Sequence, residues 1–449
     1  MEKRLIVIGG VAAGMSAAAK ARRVNREMQA VVYEKSPYIS YAACGMPYFI
    51  AGDVADYHSL IVRTPEQMAK RGVEVHVRHE VTAIDPGART VTVRDLERGR
   101  EFTHRYDGLV IATGARPVLS PLPGSDREGV FVLRSLDEGR VLRRFLVENG
   151  EHGPQRALVI GGGYVGVEMA ETFCRLGLQV QMVIRSGKVM RTTLDDDVRA
   201  LVEEELARQG VEVVQGKPTG FEGRRRVEAV VTEDDRYPCD VALLSVGVRP
   251  EVTLARAAGV ALGATGAIAT DSHMRTNLPG VYAAGDCAET FHLVTGAPAY
   301  IPLGSTANKQ GRVAGTNAAG GEATFGGVVG TMVVRVFDLV VARTGLTAAQ
   351  AQDLGYTVRA PMIEAMDASH YFPGAAPIHV KLVVDEETGR LLGGQIAGRR
   401  GVAKRIDVLA TALHHRLTVT DLRRLDLSYA PPFAPVWDPI LVAANVAAR

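Results

Sequence analysis

Four cysteines stand in the chain, Cys44, Cys174, Cys239 and Cys287, and their spacing limits the sulfur chemistry open to it. No pair has CxxC or metal-ligand spacing, so neither a disulfide scaffold nor a zinc site is indicated. Cys44 lies in SYAACGMPYF, residues 40–49, with no second cysteine near it. A free cysteine is ordinarily a small buried hydrophobe. That is the reading for Cys174 on a helix face, for Cys239 at the head of the apolar CDVALLSVG, and for Cys287. A reactive Cys44 needs its thiol, with a free pKa of ~8.5, brought down by a helix end or an electron-poor neighbour. A lone sulfur of that kind works only with a partner from solution. It forms a mixed disulfide with a small thiol, or a sulfenic acid with peroxide.

Two β-α-β units surround these sulfurs in the sequence. Leu5–Ile8 reads as a strand, Gly9-Gly10-Val11-Ala12-Ala13-Gly14 as a turn, and the Ala-rich stretch to about Arg23 as a helix. A second strand, Ala30–Tyr33, ends at Glu34 with Lys35 beside it. Such a turn brings backbone N–H groups to a pyrophosphate at a helix N-terminus, and an acid placed like Glu34 accepts from a ribose diol. The unit recurs with strand Ala157–Ile160, the turn Gly161-Gly162-Gly163-Tyr164-Val165-Gly166, a helix carrying Glu168 through Arg175, and strand Gln179–Ile184. Here no acid follows: the sequence is Ile184-Arg185-Ser186-Gly187-Lys188. Arg185 and Lys188 suit a 2′-phosphate, which a carboxylate would repel, so NADPH is expected, with NADH possible. A solvated loop charge is the plain alternative for Arg185. For Glu168 the expectation is a place near the flavin–nicotinamide contact, with helix packing as the alternative. Two dinucleotide sites in one chain suggest a relay between a bound flavin and a nicotinamide. Two further strand-to-turn stretches fit it: YDGLVIATG, ending in Thr113-Gly114, and TNLPGVYAAGD, ending in Gly285-Asp286.

Composition agrees with an α/β chain of this kind. At 449 residues with 47% hydrophobic content and 48 glycines, two or three domains are expected. A net charge of +2 from 52 basic and 50 acidic residues gives no bulk attraction to nucleic acid or membrane. The N-terminal MEKRLIVIGG is too short in apolar residues for a signal peptide, and no uncharged run reaches the ~18 residues of a membrane span. A cytoplasmic location is the expectation.

With its motifs in this order, the chain resembles, along essentially its whole length, the FAD-dependent pyridine nucleotide-disulfide oxidoreductases, and within them the coenzyme A-disulfide reductases and related NAD(P)H oxidases. The resemblance implies an FAD domain in two pieces, 1–116 and 248–325, an NAD(P)H domain at 117–247, and a C-terminal α+β dimerisation domain at 326–449. It implies two Rossmann-like domains, bound FAD, and Cys44 as a single redox-active sulfur forming a Cys-S-S-CoA mixed disulfide. Tyr371 of HYFPG and Tyr429 of SYAPP would reach across a homodimer to that cysteine, each phenol with an ordinary pKa of ~10. Coenzyme A would be held by Ser16, Lys20, Arg22, Arg23, Ser40 and Asn308. Two-cysteine members place a second cysteine four residues away; here that neighbourhood is Gly45 to Phe49. Peroxidase and many oxidase members carry a histidine where this chain has Ala12, and members with Asn before the cysteine contrast with Ala43. His414-His415 reads as a surface or packing pair. Coenzyme A disulfide reduction is therefore the expected activity. An NAD(P)H oxidase or peroxidase, a persulfide or polysulfide reductase, and an electron-transfer reductase for a ferredoxin-like partner are the alternatives. Some persulfide-type relatives carry an appended sulfur-handling domain, and this chain ends at Arg449.

Overall fold

The computed structural model describes residues 3–118, 122–147 and 153–449. Two five-stranded parallel sheets share one strand order. In the first, Arg4–Ile8 lies between Gln29–Glu34 and Gly108–Ile111, with Val73–Val77 and Val281–Ala283 outermost. In the second, Arg156–Ile160 lies between Gln179–Ile184 and Val241–Leu244, with Glu212–Gln215 and Val130–Val132 outermost. Each inner strand reads as an apolar run because both its faces are covered: Leu5, Ile6, Val7, Leu158 and Val159 are all fully buried.

The expected strands and helices are present with small extensions. The first helix runs Ala12–Val24 and the second Tyr164–Arg175. Each follows a glycine with positive φ, Gly9 at +99° and Gly161 at +108°, where a Cβ would stand 2.2 Å from the Ala112 carbonyl oxygen and 2.3 Å from that of Ser245. Only glycine takes these turns without displacing the neighbouring strand end. Chain crossings between the halves form a short antiparallel ribbon, Ala115–Pro117 against Val248–Pro250.

The C-terminal part is antiparallel. Met332–Val336, Leu339–Gly345, Leu391–Gly398 and Pro377–Asp385 lie in that order, and both Val358–Arg359 and Met362–Met366 pair with the last. Helices Val402–His414 and Pro439–Ala447 cover it, burying Ile406, Leu409, Ile440 and Ala444. Among the described residues no helix is long and apolar enough to cross a membrane.

The segment after Cys44 packs outside the half it belongs to in sequence. Helix Met46–Ala51 buries Met46, Phe49 and Ile50 with Val167, Ala170 and Phe173 of the second fingerprint helix, and with Leu136 and Leu142. Each such side chain contributes about 1.5–3 kcal/mol when removed from water. That is enough to fix where Cys44 stands.

Candidate active site

Cys44 sits in a single 3-10 turn, Ala43–Gly45, that runs directly into helix Met46–Ala51. The turn is tied back by Ala42 N–H to the Leu60 carbonyl at 2.8 Å. Pro47, in the first turn of the helix, offers its carbonyl to the Thr172 hydroxyl at 3.3 Å, so the cysteine segment is docked on the second fingerprint helix. Cys44 is exposed on one side, whereas Cys174 is half-buried and Cys239 and Cys287 are buried. All four are free, and Cys287 donates weakly to the carbonyls of Ile111 and Ala284, both at 3.4 Å.

The chain's own groups raise the Cys44 pKa. Partial burial is the largest cause, the carboxylates of Glu168 and Asp286 add to it, and Arg134 opposes them. The raising effects of burial and the two carboxylates thus outweigh the lowering by Arg134. Glu168, half-buried, has its carboxyl pushed up to about 7 by burial and then by Glu171. Glu171 is itself held by Arg335 at 3.0 Å and by the Phe337 N–H at 2.7 Å.

Arg134 is a site residue that the sequence reading missed. It leaves strand Val130–Val132 and donates to Asp286 at 2.9 Å and to the Ala115 carbonyl at 3.1 Å. Its guanidinium thus joins the turns at Thr113-Gly114 and Gly285-Asp286. The signal that could have found it is Ser135-x-x-Glu138 directly behind it, a capping box. Glu138 accepts from the Arg134 and Ser135 N–H groups, both at 2.7 Å, and its own N–H reaches the Ser135 hydroxyl at 3.3 Å. The box starts helix Leu136–Val147 and fixes the direction in which Arg134 leaves the strand.

The residues present fit a flavin dinucleotide. Glu34 is buried and accepts from the N–H groups of Gly10 at 2.6 Å and Ser36 at 2.8 Å, so its carboxylate braces the first glycine turn; Lys35 is exposed. Ala13 is buried, and Gly14 packs so closely that a Cβ would stand 1.9 Å from the Gly9 carbonyl oxygen. Thr113 donates to the Glu251 carbonyl at 2.6 Å. Burial of Asp286 raises its carboxyl pKa, with Arg134 opposing. Beside this pair the Tyr300 hydroxyl is buried without a partner, an orphan that a polar ligand would satisfy.

The second turn is open where the first is filled. A Cβ on Gly163 would touch nothing within 4 Å, which leaves the backbone approachable. Gly166 must stay small, since a Cβ there would lie 2.3 Å from the Gly161 carbonyl oxygen. Val165 is exposed, and burial raises the Tyr164 phenol in pKa, with Arg343 and Thr193 opposing. Arg185 is exposed, and Lys188 pairs with Asp196 at 3.5 Å.

The expected coenzyme A residues divide. Ser16 donates to Asn308 at 2.6 Å across the contact between helices Ala12–Val24 and Gly304–Ala318, with Lys20 half-exposed one turn on. Arg23 is exposed and donates to the Ala19 carbonyl at 3.1 Å. Ser40, with φ +48°, donates its N–H to the Gly10 carbonyl at 2.8 Å. Arg22 points elsewhere than that reading wants. It donates to the carbonyls of Arg26 and Met28, the latter at 2.7 Å, and its guanidinium lies over Gly72.

Tyr371 and Tyr429 are brought together. They are 64% and 48% exposed, and the proximity of Tyr371 pushes the Tyr429 phenol up, with Ser369 opposing. Soon after Tyr429 in the sequence, Phe433, Val436 and Trp437 are exposed at 78%, 67% and 61%. The charged groups that act on Cys44 are Glu168, Asp286 and Arg134. His414 and His415 stack edge to face at 5.5 Å on the surface.

Residues 3–311 match the pyridine nucleotide-disulphide oxidoreductase family and residues 331–439 its dimerisation domain. The chain belongs to this family of NAD(P)H-dependent flavoprotein disulfide reductases, in its coenzyme A-disulfide reductase and NAD(P)H oxidase group. It is 40% identical over 447 residues, 99% of this chain and 98% of the other, to the NAD(P)H coenzyme A polysulfide/persulfide reductase of Pyrococcus horikoshii. It is 35% identical to an NADH oxidase of Methanocaldococcus jannaschii, covering 99% of each chain. A coenzyme A disulfide reductase of Staphylococcus haemolyticus is 29% identical over 96% of each. Among solved structures, reduced CoADR-RHD of Bacillus anthracis has TM-score 0.96 at 35% identity, covering 100% of this chain and 80% of that one. An engineered water-forming NADPH oxidase bound to NADPH has TM-score 0.94 at 30% identity, covering 99% and 98%.

Proposed function

We propose that the protein reduces coenzyme A disulfide, or a small disulfide close to it, with NADPH by way of Cys44. The observation that carries the reading is the isolation of Cys44: it is exposed, while Cys174 is half-buried and Cys239 and Cys287 are buried. The second sulfur must then come from the substrate. FAD, when bound, supplies the two-electron relay between the nicotinamide and that disulfide.

The chain's residues have separate tasks in this scheme. Cys44 as thiolate attacks one sulfur of the disulfide, forming the Cys44–S–S–CoA bond and releasing one thiolate. Two electrons and a proton then return Cys44 to the thiolate and release the second thiol. Tyr371 and Tyr429, supplied across a homodimer, donate a hydrogen bond or proton to the departing thiolate, since phenols stay protonated at neutral pH. The pairing of the two tyrosines and the exposed Phe433, Val436 and Trp437 support that assignment. Ser16, Asn308, Lys20 and Arg23 are the groups that hold coenzyme A. Arg22, with its donors on its own chain, takes a smaller part, and Ser40 fixes the wall beside the first glycine turn. The segments 1–116 with 248–325, 117–247 and 326–449 serve as the FAD, NADPH and dimer-forming units.

NADPH rather than NADH is favoured by Ile184, Arg185 and Ser186. The engineered NADPH oxidase differs from its parent by substitutions that remove an aspartate and add two arginines and a serine, a change in the same chemical direction. Reduction of a coenzyme A-linked persulfide or polysulfide is a second reading, favoured by the 40% identity to the Pyrococcus enzyme. Steady-state NADPH oxidation tests both. Turnover is expected to depend on added coenzyme A disulfide or persulfide, to exceed turnover with oxygen or peroxide, and to collapse in Cys44→Ser. Full disulfide turnover in that variant would refute the scheme.

A further inference from the structure

After the basic turn at Arg185–Lys188, residues 189–195 run between the second glycine turn and the C-terminal domain, bonded to both. On one side, Met190 N–H donates to the Gly162 carbonyl at 2.7 Å. Met190 holds φ at +47°, a left-handed conformation that side chains other than glycine adopt at a cost. Val189 lies against Gly162, whose Cβ would stand 3.1 Å from the Val189 Cα. The Thr193 hydroxyl donates to the Met190 carbonyl at 2.9 Å and lies near enough to the Tyr164 phenol, at the start of the fingerprint helix, to influence its ionisation.

On the other side the C-terminal domain grips the same few residues. Arg343 donates to the Thr193 carbonyl at 3.1 Å and Gln350 to that of Thr192 at 3.3 Å. Gln395, 1% exposed, takes the Asp195 N–H at 2.9 Å and gives its own amide to the Asp195 carboxylate at 2.6 Å. The Ala348 N–H reaches that carboxylate at 3.0 Å, and Lys381 pairs with Asp197 at 2.7 Å. A segment outside any helix or strand, with a left-handed residue in it, holds one shape only where such bonds outweigh its backbone entropy.

We propose that Arg343 and Gln395 are positioning residues for the nicotinamide cofactor: through segment 190–195 the C-terminal domain sets the shape of the second glycine turn and the placement of Tyr164. The inference rests on the reading that this turn holds NAD(P)H. The competent shape binds cofactor, and apparent affinity falls with the fraction of molecules that hold it. The effect falls on NADPH and NADH alike, because it acts on the turn that both share and not on the 2′-phosphate.

Calorimetric titration of the FAD-loaded dimer with NADP+ and NAD+ is the test. Loss of one anchoring bond at ~1 kcal/mol corresponds to about a fivefold weakening. Arg343→Met should raise both dissociation constants by about that factor, with Arg343→Lys restoring part of the loss. The KM for disulfide and kcat at saturating cofactor should stay within about twofold, which separates positioning from general damage. Unchanged dissociation constants, or equal losses in kcat and disulfide KM, overturn the proposal. Should Arg343→Met fail to load FAD, Gln350→Ala at the exposed rim decides: about twofold on both cofactors supports it, and no change overturns it. Arg185→Ala is the independent control, expected to weaken NADP+ alone; if it weakens neither cofactor, the 2′-phosphate reading fails while the positioning result stands.

Discussion

Glu168 stands beside Cys44 as the carboxylate that most opposes its ionisation, and two predictions follow from that one side chain. Removing the charge in Glu168→Gln should lower the Cys44 pKa, so the pH at which iodoacetamide alkylates the thiol at half its maximal rate should shift down. An unchanged or raised midpoint would remove Glu168 from the account of Cys44. The carboxyl also carries its own pH dependence, with its pKa raised from 4.5 to about 7. Below the lower value both folded and unfolded chains hold the proton; between the two values only the folded chain does. Stability should therefore fall as pH rises from about 4.5 to about 7, by on the order of 1–2 kcal/mol at this half-buried site. In Glu168→Gln, denaturant unfolding across that window should lack this component. At this scale the sequence was an uneven guide. Glu34 and Asp286 stand beside glycine turns at strand ends, which local periodicity reveals, whereas the place of Cys44 came from the resemblance, because its segment docks on a helix distant in sequence. The direction of the Arg22 side chain was not legible, because it is set by the carbonyls of Arg26 and Met28, which periodicity does not reveal. Arg134 was missed because its partners, Ala115 and Asp286, are distant in sequence.

Helix Ala12–Val24 lies against helix Gly304–Ala318 closely enough that the choice of residue is dictated along both. A Cβ on Gly311 would stand 2.2 Å from the Ala13 carbonyl oxygen, and one on Gly315 would stand 2.1 Å from that of Ala17. Gly311→Ala must push the helices apart, at a cost of about 1–3 kcal/mol. The Ser16–Asn308 bond should open with it, so thermal release of flavin should shift to lower temperature and the KM for coenzyme A disulfide should rise. Gly163 offers the contrasting case, since a Cβ there meets nothing within 4 Å and its φ is −82°. Gly163→Ala should leave the unfolding temperature unchanged and raise the KM for NADPH about tenfold, by crowding the pyrophosphate. A lowered unfolding temperature with unchanged KM would mean the space is not a binding surface. The two fingerprint units were legible because strand, glycine turn and helix are all local signals, and Gln179–Ile184 was expected with the ends that are observed. The grip on residues 190–195 was not legible, because it is made by residues near 343, 350 and 395 that only the tertiary fold brings there.

The whole molecule leaves Tyr371, Tyr429, Phe433, Val436 and Trp437 exposed, while Cys44 lies near Glu168 of one dinucleotide-binding half and Asp286 of the other. If the tyrosines serve the cysteine of a second protomer, the defects in Cys44→Ser and in Tyr371→Phe/Tyr429→Phe should complement. An equal mixture, re-equilibrated as dimers, should recover about a quarter of wild-type turnover, because half the dimers then carry one intact site. Recovery near zero would place the tyrosines in the same chain's site, and an unimpaired Tyr371→Phe/Tyr429→Phe variant would place them outside the chemistry. From sequence, the dimerisation region was placed by resemblance alone; its antiparallel sheet carries no motif as plain as a glycine turn. The central claim is that Cys44 works alone and takes its second sulfur from coenzyme A, and intact-mass spectrometry under non-reducing conditions tests it most directly. After incubation with coenzyme A disulfide, the wild-type protein should carry one adduct of coenzyme A mass per chain, released by NADPH and absent from Cys44→Ser. An adduct that persists in Cys44→Ser, or a wild-type Cys44 that gains only oxygen, would contradict the account.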